Sequence, residues 1–318
     1  RLDVTSCGTW TTANTTSNLP DGFSNSIKVD CTTAKAVLTG TNNLFFSQYV
    51  EAQNLTHLGY GSSAAKQITL SFWVKSNKTG DYVVELDHGD AATFNGIKYT
   101  INSANTWEYK TLTYIGDTSN AINNDNGVGL FVQWCLAAGP TLSSGTFQSN
   151  TWQTTTANRF AGQTNLADST DNEWSITGVQ LEVGSKSTPF EHRSYGDELE
   201  KCRRYFQHSF TGAPSTTNTD NTGVIHAGGG NTSSTTGFLG TAMVRFSPNM
   251  RTTPTTVAYD LASPRNINKC HRHIYGQAGT NNQSVSMSDI NDKGFAVRSD
   301  SGVSATGIIF HYTADAEL

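Results

Sequence analysis

The chain has 318 residues, 36% of them hydrophobic and only 15% charged, with a net charge of −5. So small a charged fraction speaks against a helical cytosolic enzyme, whose exposed helix faces need Lys, Glu and Arg. A balance of 21 basic to 26 acidic residues with no basic stripe speaks against nucleic-acid binding, and 15 Phe, 11 Tyr and 6 Trp fill too large a core for a disordered chain.

The first two-thirds reads as strands separated by turn residues. Ser26 to Asp30 alternates apolar and polar, as a half-buried strand does, and Leu44 to Val50 is a second such run. A loop with a short helical segment is expected near Asn54 to Leu58. Ile68 to Ser76 then places Ile68, Leu70, Phe72 and Val74 on one face and Trp73 on the other. After the turn cluster Asn77 to Asp81 come Tyr82 to Leu86, Ile97 to Ile101, Trp107 to Ile115 and the continuous apolar run Val128 to Leu136. Trp174 to Val183 closes the series. Many short strands with Asn, Gly and Asp turns describe an antiparallel sandwich or jelly roll. The stretch from 136 to 166 has no alternation but carries Phe147, Trp152 and Phe160, rings expected to pin a long polar loop to the sheet.

Charge concentrates at 186–208. Asp197, Glu198 and Glu200 precede Arg203 and Arg204, matching a helix dipole, and Leu199, Cys202 and Phe206 share one helical stripe. A short helix therefore links two β regions. Beyond it, 224–226, 241–246, 256–260, 285–287, 294–298 and 307–313 read as strands of a second sandwich. The expected organisation is a jelly roll over 1–185, a charged linker over 186–206 and a C-terminal β-sandwich over 207–318.

Sequence features of catalysis are sparse. There is no Gly-x-Ser-x-Gly elbow, no His-Glu-x-x-His helix and no phosphate-cradling glycine loop. Glu85, Asp87, Glu108, Asp168 and Glu173 are acids near strand ends, where surface carboxylates are expected anyway. Five scattered cysteines without a Cys-x-x-Cys pair read as mostly free thiols, with Cys7 and Cys31 the one pair to check for a disulfide. His271 and His273 flank Arg272 and would face one side of a strand; three copies about a threefold axis would offer six nitrogens to a divalent metal. Polar surface histidines are the plainer expectation. No segment has the roughly twenty apolar residues of a membrane span.

Three stretches, ITLSFWVKS (68–76), ANTWEYKTLTY (104–114) and WSITGVQLEVG (174–184), resemble carbohydrate-binding modules of the galactose-binding-like jelly-roll type. STPFEHRSYGDELEKCRRYFQ (187–207) and the terminal FHYTADAEL resemble segments of bacteriophage tail-fibre proteins. The resemblance implies an all-β virion component outside the cell, adhering as a homotrimer to a host glycan or receptor without catalysis. It also implies attachment to other virion proteins through a region upstream of Arg1. A capsid head fibre and a glycan-degrading depolymerase are the alternatives.

In this resemblance Phe72 and Trp73 match the family's central strand, and Trp107 and Tyr109 the following one. Related modules often hold calcium near an acid before the last strand; here Ser175 and Thr177 stand in that neighbourhood with Asp171 and Glu173 upstream, so no cofactor is expected. A sugar platform needs an exposed aromatic with hydrogen-bonding neighbours. Trp152 with Gln153, Asn150 and Arg159 is the first candidate set, Trp134 beside Gln133 the second, and the loops around Asn231 and Arg272 the third. Trimer contacts are expected at Tyr195, Leu199, Cys202 and Tyr205.

Overall fold

Residues 1–192 form one compact unit and 193–317 a second in the computed structural model, which describes residues 1–228, 241–273, 278–299 and 307–317. In the first unit the chain runs β1 (Leu2–Thr5), β2 (Thr9–Thr15), β3 (Ser26–Thr33), β4 (Asn43–Glu51) and β5 (Ile68–Ser76). It continues through β6 (Gly80–His88), β7 (Phe94–Ile101), β8 (Glu108–Tyr114), β9 (Val128–Ala138), the one-turn helix α1 (Pro140–Ser143) and β10 (Glu173–Val183). Two five-stranded sheets result, in the orders β1-β4-β9-β6-β7 and β2-β3-β10-β5-β8. Every ladder is antiparallel, and the chain crosses repeatedly from one sheet to the other, as a jelly roll does.

The period-two pattern explains the core between the sheets. Leu70, Phe72 and Val74 of β5 pack with Tyr82, Val84 and Leu86 of β6 and Leu130, Val132 and Trp134 of β9, all essentially without exposure. Each such side chain contributes about 1.5–3 kcal/mol of burial. The opposite faces differ. On the outer side of the first sheet, Val83 and Cys135 meet Leu142 and Phe160, with Phe45 and Phe147 against them. The long polar loop of 139–163 is therefore folded onto that sheet and pinned by its rings.

Two strands have no sequence signal. β1 is four residues long, and β2 is a threonine-rich, mostly exposed edge strand held by its ladder to β3 (Trp10 opposite Cys31) rather than by an apolar face. The helical segment near Asn54 is a pair of 3-10 turns, Ala52–Asn54 and Thr56–Leu58. All five cysteines are free thiols, four of them buried and Cys202 exposed. Cys7 and Cys31 are not bonded to each other, and burial pushes the Cys7 thiol up to about 11.

The second unit opens with α2 (Tyr195–Arg203), capped by Ser194 Oγ, which accepts from Asp197 N at 3.2 Å. Acids in its first turn and Lys201 and Arg203 in its last match the dipole. The helix buries none of its residues, and the expected stripe stops short because Phe206 already starts β11 (Phe206–His208). Then follow β12 (Ile225–Gly228), β13 (Thr241–Arg245), β14 (Thr255–Tyr259), β15 (Lys269–His273), β16 (Thr280–Asn291), β17 (Gly294–Ser299) and β18 (Gly307–Asp315). β18 is central: its first half lies between β12 and β15, its second between β14 and β11. Phe246, Phe295, Phe310, Tyr312 and Met250 form the core of this second antiparallel β structure. Arg265, 3% exposed, ties down the loop before β12 by donating to the carbonyls of Asn218, Asp220 and Asp260. Among the described residues no helix is long and apolar enough to cross a membrane.

Candidate functional site

The uncovered side of the second sheet carries a groove of about 650 Å³. Its floor follows from strand parity. Since Phe72 and Val74 point into the core, Trp73 must point outward, and Tyr109 sits directly opposite it on β8. The two rings lie 5.3 Å apart at 51°, with Tyr109 45% exposed. Beside them β10 carries a bulge between Thr177 and Gln180, where Gly178 adopts φ 60°. A Cβ on Gly178 would come within 2.6 Å of the Phe23 ring and 3.3 Å of Trp73. Only glycine lets both rings approach the floor so closely.

Phe23 and Asp21 are placed by a tight turn in which Phe23 N donates to Pro20 O at 3.2 Å and Gly22 supplies φ 86°. The far wall is the segment after β10. Gly184 N donates to Gln67 O and Thr69 Oγ1 to Gly184 O, both at 2.8 Å. Thr188 N donates to Glu182 Oε2 at 3.0 Å, and Glu191 N to Gln180 Oε1 at 2.8 Å. Residues 184–192, of which 186–192 were expected in the charged linker, are thereby laid along the sheet. Phe190 meets Phe23 edge-on at 5.1 Å, and His192 meets Phe190 at 5.0 Å. The groove thus has aromatic rings on both sides, the hydroxyls of Ser71, Ser187 and Thr188 between them, and one carboxylate, Asp21.

The residues singled out from sequence lie elsewhere. Trp152 is half-buried: its Nε1 donates to Ile115 O at 2.9 Å, and its ring packs edge-on against Tyr60 and His88. Asn150, at φ 53°, accepts from Ile115 N and donates to Thr113 O. Gln153 makes a backbone bridge to Phe94 and accepts from Asn158 Nδ2. Arg159 chelates Glu85 through Nε and reaches Asp87 at 2.8 Å, its guanidinium lying 4.5 Å over the Phe94 ring. Burial pushes Glu85 up to about 7 against the pull of Arg159. This set fastens the 139–163 loop to β6 and β7 of the first sheet and to the end of β8 of the second, and its polar groups are already engaged. Trp134, 1% exposed, sits in the core against Phe46 and Phe72 and offers no face to a ligand.

His271 Nδ1 donates to Asn281 Oδ1 at 2.8 Å, and the side chain of His273 lies outside the described residues, as does Asn231. Arg272 is half-buried on β15. Among the described residues no three His, Cys, Asp or Glu side chains converge on a common point. In the neighbourhood suggested for calcium, Glu173 pairs with Lys28 at 2.5 Å, Ser175 is buried and Thr177 Oγ1 donates to Asn25 O, so these three side chains do not converge as an oxygen cage for the ion.

No family model and no curated protein matches the chain. Solved structures similar to it include the enzymatically active domain of tailspike protein 4 of bacteriophage CBA120, at 15% identity and TM-score 0.31 over 57% of this chain. The match covers 19% of that domain's length. A putative sugar-binding protein of Bacteroides thetaiotaomicron is 11% identical with TM-score 0.32, over 58% of this chain and 88% of its own. A family 61 carbohydrate-binding module in complex with β-1,4-galactotriose is 10% identical with TM-score 0.25, over 56% and 88%. These likenesses transfer neither ligand nor activity to the chain.

The alternation of residues 68–76 places Trp73 on the face opposite the core, although Trp73 is not among the platform candidates that the sequence suggests. The signal was there: Trp73 and Tyr109 both break the parity of their strands' buried residues. What the sequence did not show is that they stand opposite each other.

Proposed function

We propose that the chain binds a glycan, without catalysis, through the groove floored by Trp73 and Tyr109. The observation that carries this reading is the outward-facing Trp73–Tyr109 pair set among hydroxyl groups. A pyranose has an apolar face of C–H groups that stacks on an aromatic ring, and a rim of hydroxyls that both donate and accept. Ser187 and His192 line the groove with groups able to do the same, while the Thr188 hydroxyl is held by Glu182 and Gln180. Hydrolysis of a glycosidic bond generally uses two carboxylates, and the lining contains one, which favours binding over turnover.

At a finer level, the chain is read as a fibre or spike component of a bacteriophage virion that adheres to a host cell-surface glycan as a homotrimer. The low-charge, hydroxyl-rich composition and the resemblance of residues 187–207 to tail-fibre segments support this. So does α2, whose Tyr195 is 81% exposed and whose residues are not buried within the chain.

A glycan array followed by calorimetric titration of the hit tests the groove. Trp73→Ala is expected to weaken binding by about 2 kcal/mol or more, roughly thirtyfold, with the fold retained. Trp152→Ala should lower stability and leave affinity within about twofold, since that ring serves the loop. Affinity that survives Trp73→Ala and disappears in Trp152→Ala would move the site to the other sheet.

A further inference from the structure

The charge distribution around the groove goes one step further, resting on the glycan-binding reading. Asp21 is the one carboxylate in the lining, and among the described residues no lysine or arginine lines the groove. Of the cations on the neighbouring strands, Lys75 lies 5.2 Å over the Trp107 ring and Lys110 pairs with Glu108 at 2.7 Å. The wall segment carries both signs, Lys186 before Ser187 and Glu191 after Phe190, and neither of these side chains belongs to the lining.

We infer that the groove selects uncharged glycans and that Asp21 is a specificity-determining residue which excludes anionic ones. A uronate, sialate or sulfate entering between the aromatic walls would lose part of its hydration and gain no cation in return. It would also approach Asp21, and discrimination is often set by such a repulsive element as much as by attraction. A neutral pyranose meets neither cost. Its hydroxyls can donate to the Asp21 carboxylate, whose position is held by the Pro20–Phe23 turn. The floor presents side chains of β5, β8 and β10, so a peptide lying on it would meet side chains rather than the N–H and C=O groups that strand addition uses.

The test uses the full chain against a printed panel of neutral hexose and N-acetylhexosamine oligosaccharides beside uronic-acid, sialylated and sulfated ones. Titrations of the best neutral hit and its acidic counterpart follow. The expected result is neutral binding that Trp73→Ala abolishes, with the acidic counterpart at least about tenfold weaker. Asp21→Asn should narrow that gap and Asp21→Lys should close or invert it, both with unchanged thermal melts because Asp21 is exposed. Preferred binding of an acidic glycan that is still lost in Trp73→Ala would overturn the selectivity and leave the glycan site standing. A gap unchanged in both Asp21 variants would remove Asp21 from its role. If no glycan binds, or if a proline-rich peptide occupies the groove instead, both the inference and the glycan reading fall.

Discussion

Two buried ionisable groups carry opposite pH signatures. Glu85 is fully buried, and burial raises its carboxyl from 4.5 to about 7 despite the Arg159 fork on it. The folded first unit therefore holds this proton more tightly than the unfolded chain does. The contribution is complete below about pH 4.5 and is lost as pH rises through about 7. His311 behaves in the reverse way. It stacks 4.2 Å from Phe210, its Nδ1 pairs with Ser209 Oγ at 3.0 Å, and burial, with Arg265 nearby, lowers it from 6.5 to about 4. Its contribution is present above pH 6.5 and is lost as pH falls through about 4. Chemical denaturation between pH 4 and 8, with Glu85→Gln and His311→Gln as references, is expected to show the slopes reversed between the two units. Glu85→Gln should flatten only the first unit's dependence, and a wild-type first unit that gains stability from pH 5 to 8 through Glu85 would contradict this.

At the level of elements, the groove depends on one irregularity. On the bulged backbone of β10 a Cβ at residue 178 would come within 2.6 Å of the Phe23 ring. Glycine avoids that contact and takes the left-handed conformation of the bulge, while Leu181 and Val183 stay in register with Leu70 and Ile68. Gly178→Ala is expected to cost about 1–2 kcal/mol from the backbone conformation alone. That corresponds to a melting temperature lower by roughly 2–8 °C for a unit of this size. Because the new methyl displaces Phe23, glycan affinity should fall in the same variant. An Ala variant with wild-type affinity and stability would show that the bulge does not shape the groove. The neighbouring wall segment has its own logic. Gln180 and Glu182, both on β10, hold Glu191 and Thr188 by side-chain to backbone hydrogen bonds, so the strand that floors the groove also anchors its wall.

For the whole molecule, the few charged residues are unevenly distributed. The groove side of the jelly roll is hydroxyl and aromatic, whereas α2 is acidic at its start, basic at its end and buries nothing. A helix of nine residues is marginal by itself, and packing against other chains is the ordinary remedy. If α2 joins three copies, each weak glycan contact gains avidity from the other two. Light scattering should then report about three times the 34.3 kDa chain mass, and Tyr195→Asp with Leu199→Asp should reduce it. A monomer for the wild-type chain at micromolar concentration would count against the trimer.

The strand pattern was legible in the sequence because side-chain alternation is a local property. Ile68 to Ser76 was read with the bounds that β5 has, and the face assigned to Trp73 is the face it occupies. β2 was not legible, since a threonine-rich edge strand buries too little on either face to alternate. Nor was the site. Trp73, Trp134 and Trp152 are the same residue type in similar company, yet one floors a groove, one lies in the core and one props a loop. Arg159 was a reasonable sugar ligand by type, but it is committed to Glu85, 74 positions earlier. Alternation says which side of a strand a residue faces. What covers that side, the 139–163 loop on one sheet and the aromatic walls on the other, comes from contacts between residues far apart in the chain, and only the tertiary structure decides those.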